Sequence, residues 1–269
     1  MKRKLAGEEV SLVVSTYNRP DALEACLESV RRQHTLPGEV IVADDGSGPS
    51  TGAVISRLKK DFPIPLIHVW HEDKGFRLAK IRNRAMAQTR GKYIVQTDGD
   101  MLMDPLFISD HIRFARENHY VKGVRVRLDR ETTIQRCALP RKKTPGLLSR
   151  GLTDRMKAVR FLPAAAWFAS HFKKGKAYGL GCNMAFFKKD LLAVNGYDES
   201  FEGWGREDDD IAHRMHRAGI RMRDLRFAAI CFHLWHPENS RSDMEENMRL
   251  CHERDQAGTI RAEKGIDQY

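Results

Sequence analysis

Val10-Ser11-Leu12-Val13-Val14-Ser15, closed by Thr16-Tyr17-Asn18-Arg19-Pro20, sets the reading of the whole chain. A short β-branched run that ends in polar residues reads as a buried strand, and Pro20 suits the first turn of a helix behind it. Asp21–Gln33 then places Leu23, Cys26, Leu27 and Val30 at helical spacing. The unit repeats. Val40–Ala43 is a second strand, ended by Asp44-Asp45-Gly46-Ser47-Gly48, and Thr51–Lys60 is helical. Pro65–Trp70 is a third strand, Leu78–Gln88 is helical, and Lys92–Gln96 is a fourth strand ended by Thr97-Asp98-Gly99-Asp100. Strands and helices alternating through short connections predict an α/β fold around a mostly parallel, doubly wound sheet. Ligands of such sheets bind at the carboxyl ends of the strands. The clusters Thr16–Arg19, Asp44–Ser47 and Asp98–Asp100 all fall at those ends, so they should converge on one cleft. Each alone is ordinary turn chemistry. Together they suggest a site, and two carboxylates one residue apart can offer oxygens to a hard divalent cation that bridges to phosphates. The first strand is followed by neither a Walker A loop nor a Gly-x-Gly-x-x-Gly turn, which argues against a P-loop ATPase and a dinucleotide binder.

The bulk properties narrow the class. The 269 residues suffice for one large α/β domain, and no stretch approaches the ~20 apolar residues of a membrane-spanning helix. A formal charge of +10 implies an anionic partner: a nucleotide, nucleic acid or an anionic lipid surface. The absence of a zinc finger, RRM signature or repeat lowers the nucleic-acid reading. The start, MKRKLAGEEV, has no apolar stretch behind its basic residues and reads as no secretory signal. Cys26, Cys137, Cys182, Cys231 and Cys251 are odd in number and lack a Cys-x-x-Cys pair, which points to reduced thiols and a cytoplasmic protein.

A second acidic cluster lies far downstream. Gly203–Asp210 reads GWGREDDD, with Glu207 through Asp210 consecutive acids ahead of Ile211-Ala212-His213-Arg214-Met215. Acids suit the first turn of a helix, where they meet the positive end of the dipole. They also suit a carboxylate base beside a pocket built by Trp204 and the glycines, and a helix N-terminus can serve both purposes. Further on, Phe227–Phe232 reads as a strand, followed by His233 and His236. Two histidines three apart behind a strand are candidate ligands for Mn²⁺ or Zn²⁺; the alternative is that His233 packs on Trp235.

The runs VSLVVSTYNRPDAL, EVIVADDGSG and GKYIVQTDGDM resemble the nucleotide-binding half of a glycosyltransferase family 2 enzyme with the GT-A fold. The run GLGCNMAFFKKDLLAVNGYDESFEGWGREDDDIAHRMHRAG resembles a galactosyltransferase-type segment, as in β-1,4-galactosyltransferases and bacterial chondroitin polymerases. The likeness covers roughly Val10–Arg116 and Gly179–His236. It implies a single GT-A domain over 1–269, with a donor half at 10–116, an acceptor half at 117–238 and a helical tail at 239–269. It also implies a UDP-sugar donor, with Thr16, Tyr17 and Arg19 along the nucleotide, Asp45 accepting from the uracil imide, and Arg77 and Asn83 beside the donor. Asp98 and Asp100 form the DXD pair. Asp98 would contact ribose or the ion; Asp100, with His236 and His233, would ligate Mn²⁺ or Mg²⁺. Asp208 becomes the base that deprotonates the acceptor hydroxyl, with inversion at the anomeric carbon. Glu207 becomes an acceptor anchor and Trp204 a sugar platform, leaving Asp209 and Asp210 as capping or solvated acids. Arg206 stands where the galactosyltransferase pattern has a second glycine. The acceptor implied is a glycan or glycolipid, such as lipopolysaccharide or capsule, handled at the inner face of the cytoplasmic membrane.

Leu139–Lys176 stands outside the resemblance. It holds ten Lys and Arg residues, among them Arg141, Lys142, Lys143, Lys173, Lys174 and Lys176, against the single acid Asp154. Leu148, Leu152, Met156 and Val159 predict an apolar stripe on a basic helix. Three readings stay open: packing on the core, peripheral contact with anionic lipid, and a mobile loop over the active site. The tail from Asn239 to Tyr269 reads as a surface helix with a frayed end. Two rivals to the transferase also stay open, a nucleotidyltransferase and a non-catalytic protein that binds membrane or nucleic acid through its basic stretch.

Overall fold

The computed structural model describes residues 5–171, 177–237 and 243–269. Lys173, Lys174 and Lys176 of the basic segment lie outside the described residues, as does Asn239.

The predicted alternation is present. β1 (Val10–Thr16), α1 (Pro20–Arg31), β2 (Glu39–Asp44), α2 (Pro49–Lys59), β3 (Leu66–Trp70), α3 (Leu78–Ala87) and β4 (Tyr93–Asp98) follow in order. β1 pairs in parallel with both β2 and β4, and β2 with β3. Every residue of β1 is buried, as a central strand covered on both faces requires. Pro20 opens α1, where its missing N–H is an orphan in any case.

The chain then leaves the repeat. β5 (Met101–Met103), α4 (Phe107–Phe114), β6 (His119–Lys122), β7 (Val124–Arg127), α5 (Arg130–Ala138) and α6 (Leu162–His171) precede β8 (Asn183–Phe187) and α7 (Lys188–Ala193). α8 (Glu207–Arg217), β9 (Arg221–Asp224), β10 (Ile230–His233) and α9 (Met244–Gln256) complete the order. β8 joins β4 antiparallel, so the large sheet runs β3-β2-β1-β4-β8-β6-β9. A small sheet, β5-β10-β7, stands beside it and carries His233 to the end of β4.

Two expectations fail here. The stripe of Leu148, Leu152, Met156 and Val159 is not one helix: Leu148 is 92% and Met156 73% exposed, while Leu152 packs against the core under the small sheet. Gly151 between them takes a left-handed φ of 75°, its carbonyl accepts from the Asp129 N–H, and Leu152 forms a β-bridge with Leu128, so the chain is pinned extended. The tail does not fray either. Ile266 is buried in the core beneath α3, and its N–H donates to the Asn195 carbonyl. Among the described residues no helix is long and apolar enough to cross a membrane.

Candidate active site

Three clusters meet at the carboxyl ends of β1, β2 and β4, as the strand pattern predicts. The first surrounds Asp45. Its N–H donates to the Thr16 carbonyl, its Oδ2 accepts from the Arg77 N–H at 3.0 Å, and its Oδ1 lies 2.6 Å from His71 Nε2. Burial pushes the Asp45 carboxyl up to about 7, against the pull of Arg77. Burial, with the nearby cations, drives His71 down to about 4, so both members of this pair favour their neutral forms. Tyr17 stands half-exposed at the rim and donates to Asp73. Asn83 does not join them. It is fully buried, and its amide is committed to the backbone of Tyr197 and to Glu199. It clamps the segment before α8 onto α3 and does not lie along the cleft.

The second cluster is Asp100, His233 and His236, whose ligand atoms lie within 4.8 Å of one another. Asp100 Oδ2 is 3.4 Å from His233 Nε2, 3.3 Å from His236 Nε2 and 3.9 Å from an Arg19 guanidinium nitrogen. Burial would raise the Asp100 carboxyl, but the two imidazoles hold it far below the usual carboxylate range. Its Oδ1 is buried with no hydrogen-bond partner, and so is that Arg19 nitrogen. One carboxylate and two imidazoles with an orphaned oxygen fit a divalent transition metal such as Mn²⁺. The rings of His233 and His236 meet edge to face at 5.0 Å.

The third cluster centres on Arg82, which sequence reasoning passed over in favour of Arg77 and Asn83. Its guanidinium donates to Asp98 at 3.1 Å, Asp208 at 3.0 Å and Glu207 at 3.3 Å, and its Nε donates to Ser15 Oγ at 3.2 Å. A visible signal existed. Ala79, Arg82 and Met86 share the buried face of α3, and a cation on an apolar stripe must find buried acids. Asp208 also accepts from the Gly181 N–H at 2.7 Å and lies 3.3 Å from the Tyr197 hydroxyl. A Cβ on Gly181 would stand 2.3 Å from Asp208 Oδ2, so only glycine allows this approach. The Asp208 side chain keeps 24% of its surface exposed and opens onto the cleft. Burial, reinforced by the Asp208 charge and opposed by Arg82, pushes Glu207 above its ordinary range. Burial likewise pushes Asp98 up, with Arg82 opposing.

The GWGREDDD run thus serves as helix start and site together. Glu207–Asp210 form the first turn of α8, while Gly203, Gly205 and Arg206 all have positive φ. Arg206 holds a left-handed φ of 76°, a conformation that costs about 1–2 kcal/mol for a residue with a side chain, at a position where the related pattern uses glycine. Trp204 is half-buried within this turn. Asp210 is not solvated, and Asp209, a quarter exposed, is held in an ion pair. Asp209 pairs with Arg206, and Asp210 is buried against Arg214 at 2.7 Å. A cavity of about 1740 Å³ lies elsewhere, lined by Lys92 just before β4 and Phe187 at the end of β8, at the opposite end of the sheet.

Comparison with known proteins agrees with this geometry. The model for glycosyl transferase family 2 matches residues 11–165, more than half of the 269. A second, described as the N-terminal domain of galactosyltransferase, matches residues 165–237. Chondroitin synthase of Escherichia coli is 27% identical over 246 residues, covering 86% of this chain and 35% of that protein. The chain therefore spans about a third of that relative's length. Staphylococcus aureus TarS 1-349 in complex with UDP superposes with a TM-score of 0.60 at 19% identity, covering 96% of this chain and 68% of that one. The mannosyltransferase PcManGT from Pyrobaculum calidifontis, in complex with GDP-Man and Mn²⁺, gives 0.59 at 19% identity, covering 96% and 65%. Strand order, cleft and family match lead to one assignment: the chain is a GT-A domain that belongs to glycosyltransferase family 2.

Proposed function

We propose that the protein transfers a hexose or N-acetylhexosamine from a UDP-sugar to a hydroxyl of a glycan or glycolipid, with a divalent cation and with inversion. The observation that carries this reading is Arg82, which binds the DXD residue Asp98 and the base candidate Asp208 with one guanidinium. Donor and acceptor chemistry therefore share one cleft.

The uridine would lie over Tyr17, Thr16 and Arg77, with Asp45 accepting from the imide N–H. Arg19, with its unpartnered nitrogen near Asp100, would face the diphosphate. Asp100, His233 and His236 would hold Mn²⁺ or Mg²⁺, which stabilises charge on the leaving diphosphate. Asp208 takes the proton of the acceptor hydroxyl as that oxygen attacks the anomeric carbon from the side opposite the diphosphate. The Gly181 N–H and Arg82 fix the carboxylate's direction, and Oδ2, which accepts only the Gly181 N–H, retains a lone pair for the incoming proton. Glu207, held above its ordinary range by burial, can keep a proton and donate it in a hydrogen bond to the acceptor. Trp204, on the same rim, would stack a sugar face.

The test is release of UDP from a panel of UDP-sugars with Mn²⁺. Free UDP and sugar support transfer, whereas pyrophosphate released from UTP and a sugar 1-phosphate in a parallel reaction would favour a nucleotidyltransferase. Retention of sugar transfer in both Asp208→Asn and Asp100→Ala would defeat this mechanism.

A peripheral contact with anionic lipid is part of the same reading. Leu139, Leu148, Met156, Phe161 and Trp167 are all more than half exposed within a basic segment. Apolar anchors among cations suit a membrane interface. Flotation with phosphatidylglycerol vesicles that survives Leu148→Ser with Trp167→Ser would remove this contact.

A further inference from the structure

Arg125 is a half-buried cation at the β8 side of the cleft. β7 pairs in parallel with β10, so Arg125 lies opposite Cys231 and Arg127 opposite His233. Paired residues of a sheet project to the same face. Both arginines therefore share the face that carries His233, while Val126 and Phe232 pack on the other with Ala22 and Leu102. The Arg125 guanidinium is half-buried beside Cys182 and within electrostatic reach of Asp98. Asp98 is already engaged by Arg82 at 3.1 Å. Among the described residues neither Arg125 nor Arg127 forms an ion pair with a carboxylate. Cys182 and the charge of Asp98 more than offset the cost of its burial, so the guanidinium stays charged, and with no carboxylate in ion-pair contact it is open to an anionic ligand.

Its place selects the anion. Gly123, at the head of β7, donates its N–H to the Asn183 carbonyl at 2.9 Å, so β7 starts beside β8. Cys182 adjoins Gly181, whose N–H holds Asp208. Across the sheet the order is β2, β1, β4, β8. The Asp45 cluster lies on the β2 side of Asp98, and Arg125 lies on the β8 side, beside Cys182, which is one residue along the chain from the Gly181 that holds Asp208. The donor's diphosphate has Arg19 and the Asp100 cluster near the end of β4.

We propose that Arg125, supported by Arg127, receives an anionic group of the acceptor, a carboxylate or a phosphate, so that the acceptor is an acidic glycan. The inference rests on the reading of Asp208 as the base for an acceptor hydroxyl.

The experiment is ligand-observed NMR on the protein loaded with UDP and Mg²⁺, using methyl β-glucuronide, methyl β-glucoside and glucose 6-phosphate as probes. One or both charged probes should bind about tenfold more tightly than the neutral glucoside, with the preference shrinking as salt rises. The tighter of the two charged probes names the group. Arg125→Gln should abolish the preference and Arg125→Lys retain part of it, with UDP affinity within about twofold in both. Equal binding of charged and neutral probes to the unaltered protein overturns the inference without any variant. So does a preference that survives Arg125→Gln. UDP-sugar hydrolysis is measured on the same preparation. Hydrolysis without charge preference sinks this inference alone, whereas preference without hydrolysis of any UDP-sugar removes the acceptor role and the transfer reading together.

Discussion

The two acidic clusters of the cleft are built in opposite ways. Around Arg82, three carboxylates and a hydroxyl converge on one buried guanidinium at 3.0–3.3 Å, and the Gly181 N–H adds a shorter bond to Asp208. That cluster supplies its own cation. Around Asp100, the nearest nitrogens stand at 3.3–3.9 Å, and one carboxylate oxygen has no hydrogen-bond partner. This cluster leaves a carboxylate oxygen and a guanidinium nitrogen without hydrogen-bond partners. The difference separates preorganisation from ligand capture. A base must be aimed before the acceptor arrives, so its orientation is fixed by the protein. A metal that arrived with the donor, as proposed, would account for ligands left unsatisfied.

Substitutions can break this contrast. The largest effect belongs to Asp208→Asn, which keeps the shape and removes the base. Single-turnover kinetics should show transfer slowed by about 10²–10⁴-fold with donor affinity nearly unchanged. Equal losses in donor affinity and rate would place Asp208 with the metal cluster instead. Arg82→Gln comes next, because it leaves Asp98, Glu207 and Asp208 crowded without a cation. Breaking a buried ion network costs about 3–5 kcal/mol, which thermal unfolding would register as a fall of roughly 10 °C. Asp100→Ala, by contrast, should leave the metal-free protein within about 1 kcal/mol of the unaltered one, yet weaken Mn²⁺ binding by about 100-fold or more in a calorimetric titration. A large loss of metal-free stability in this variant would mean the second cluster is as self-contained as the first.

The smallest effect is pH dependence at Asp45. Burial raises its carboxyl to about 7, so the ionised acceptor of the uracil N–H is lost as pH falls through that value. UDP affinity should drop by about tenfold from pH 8 to pH 6, and Asp45→Asn should flatten the profile. The sign for stability is opposite. A carboxyl raised above its unfolded range favours the fold most at low pH and loses that contribution as pH rises through about 7. Unfolding midpoints from pH 5 to pH 8 should therefore decline less in Asp45→Asn.

Much of this was legible in the chain itself. The β-branched runs and the acids behind them specified four parallel strands and a cleft at their carboxyl ends, because burial on both faces and turn chemistry are local demands. Asp98, Asp100, His233 and His236 were candidates by residue type and spacing, and the family resemblance picked out Asp208 among four consecutive acids. Other features had no local mark. Whether an acid is paired depends on residues more than a hundred positions away, as with Arg82 and Glu207. Asn83 has the composition of a donor contact, yet tertiary packing spends its amide on Tyr197. The apolar spacing around Leu148 satisfies a helix on paper, but Gly151 and pairing with Leu128 hold the chain extended. Sequence alone determined which groups could do chemistry and at which ends of which strands. Only the tertiary structure decided which of them are already neutralised and which still need a ligand, because charge compensation depends on distance in space and not on distance along the chain.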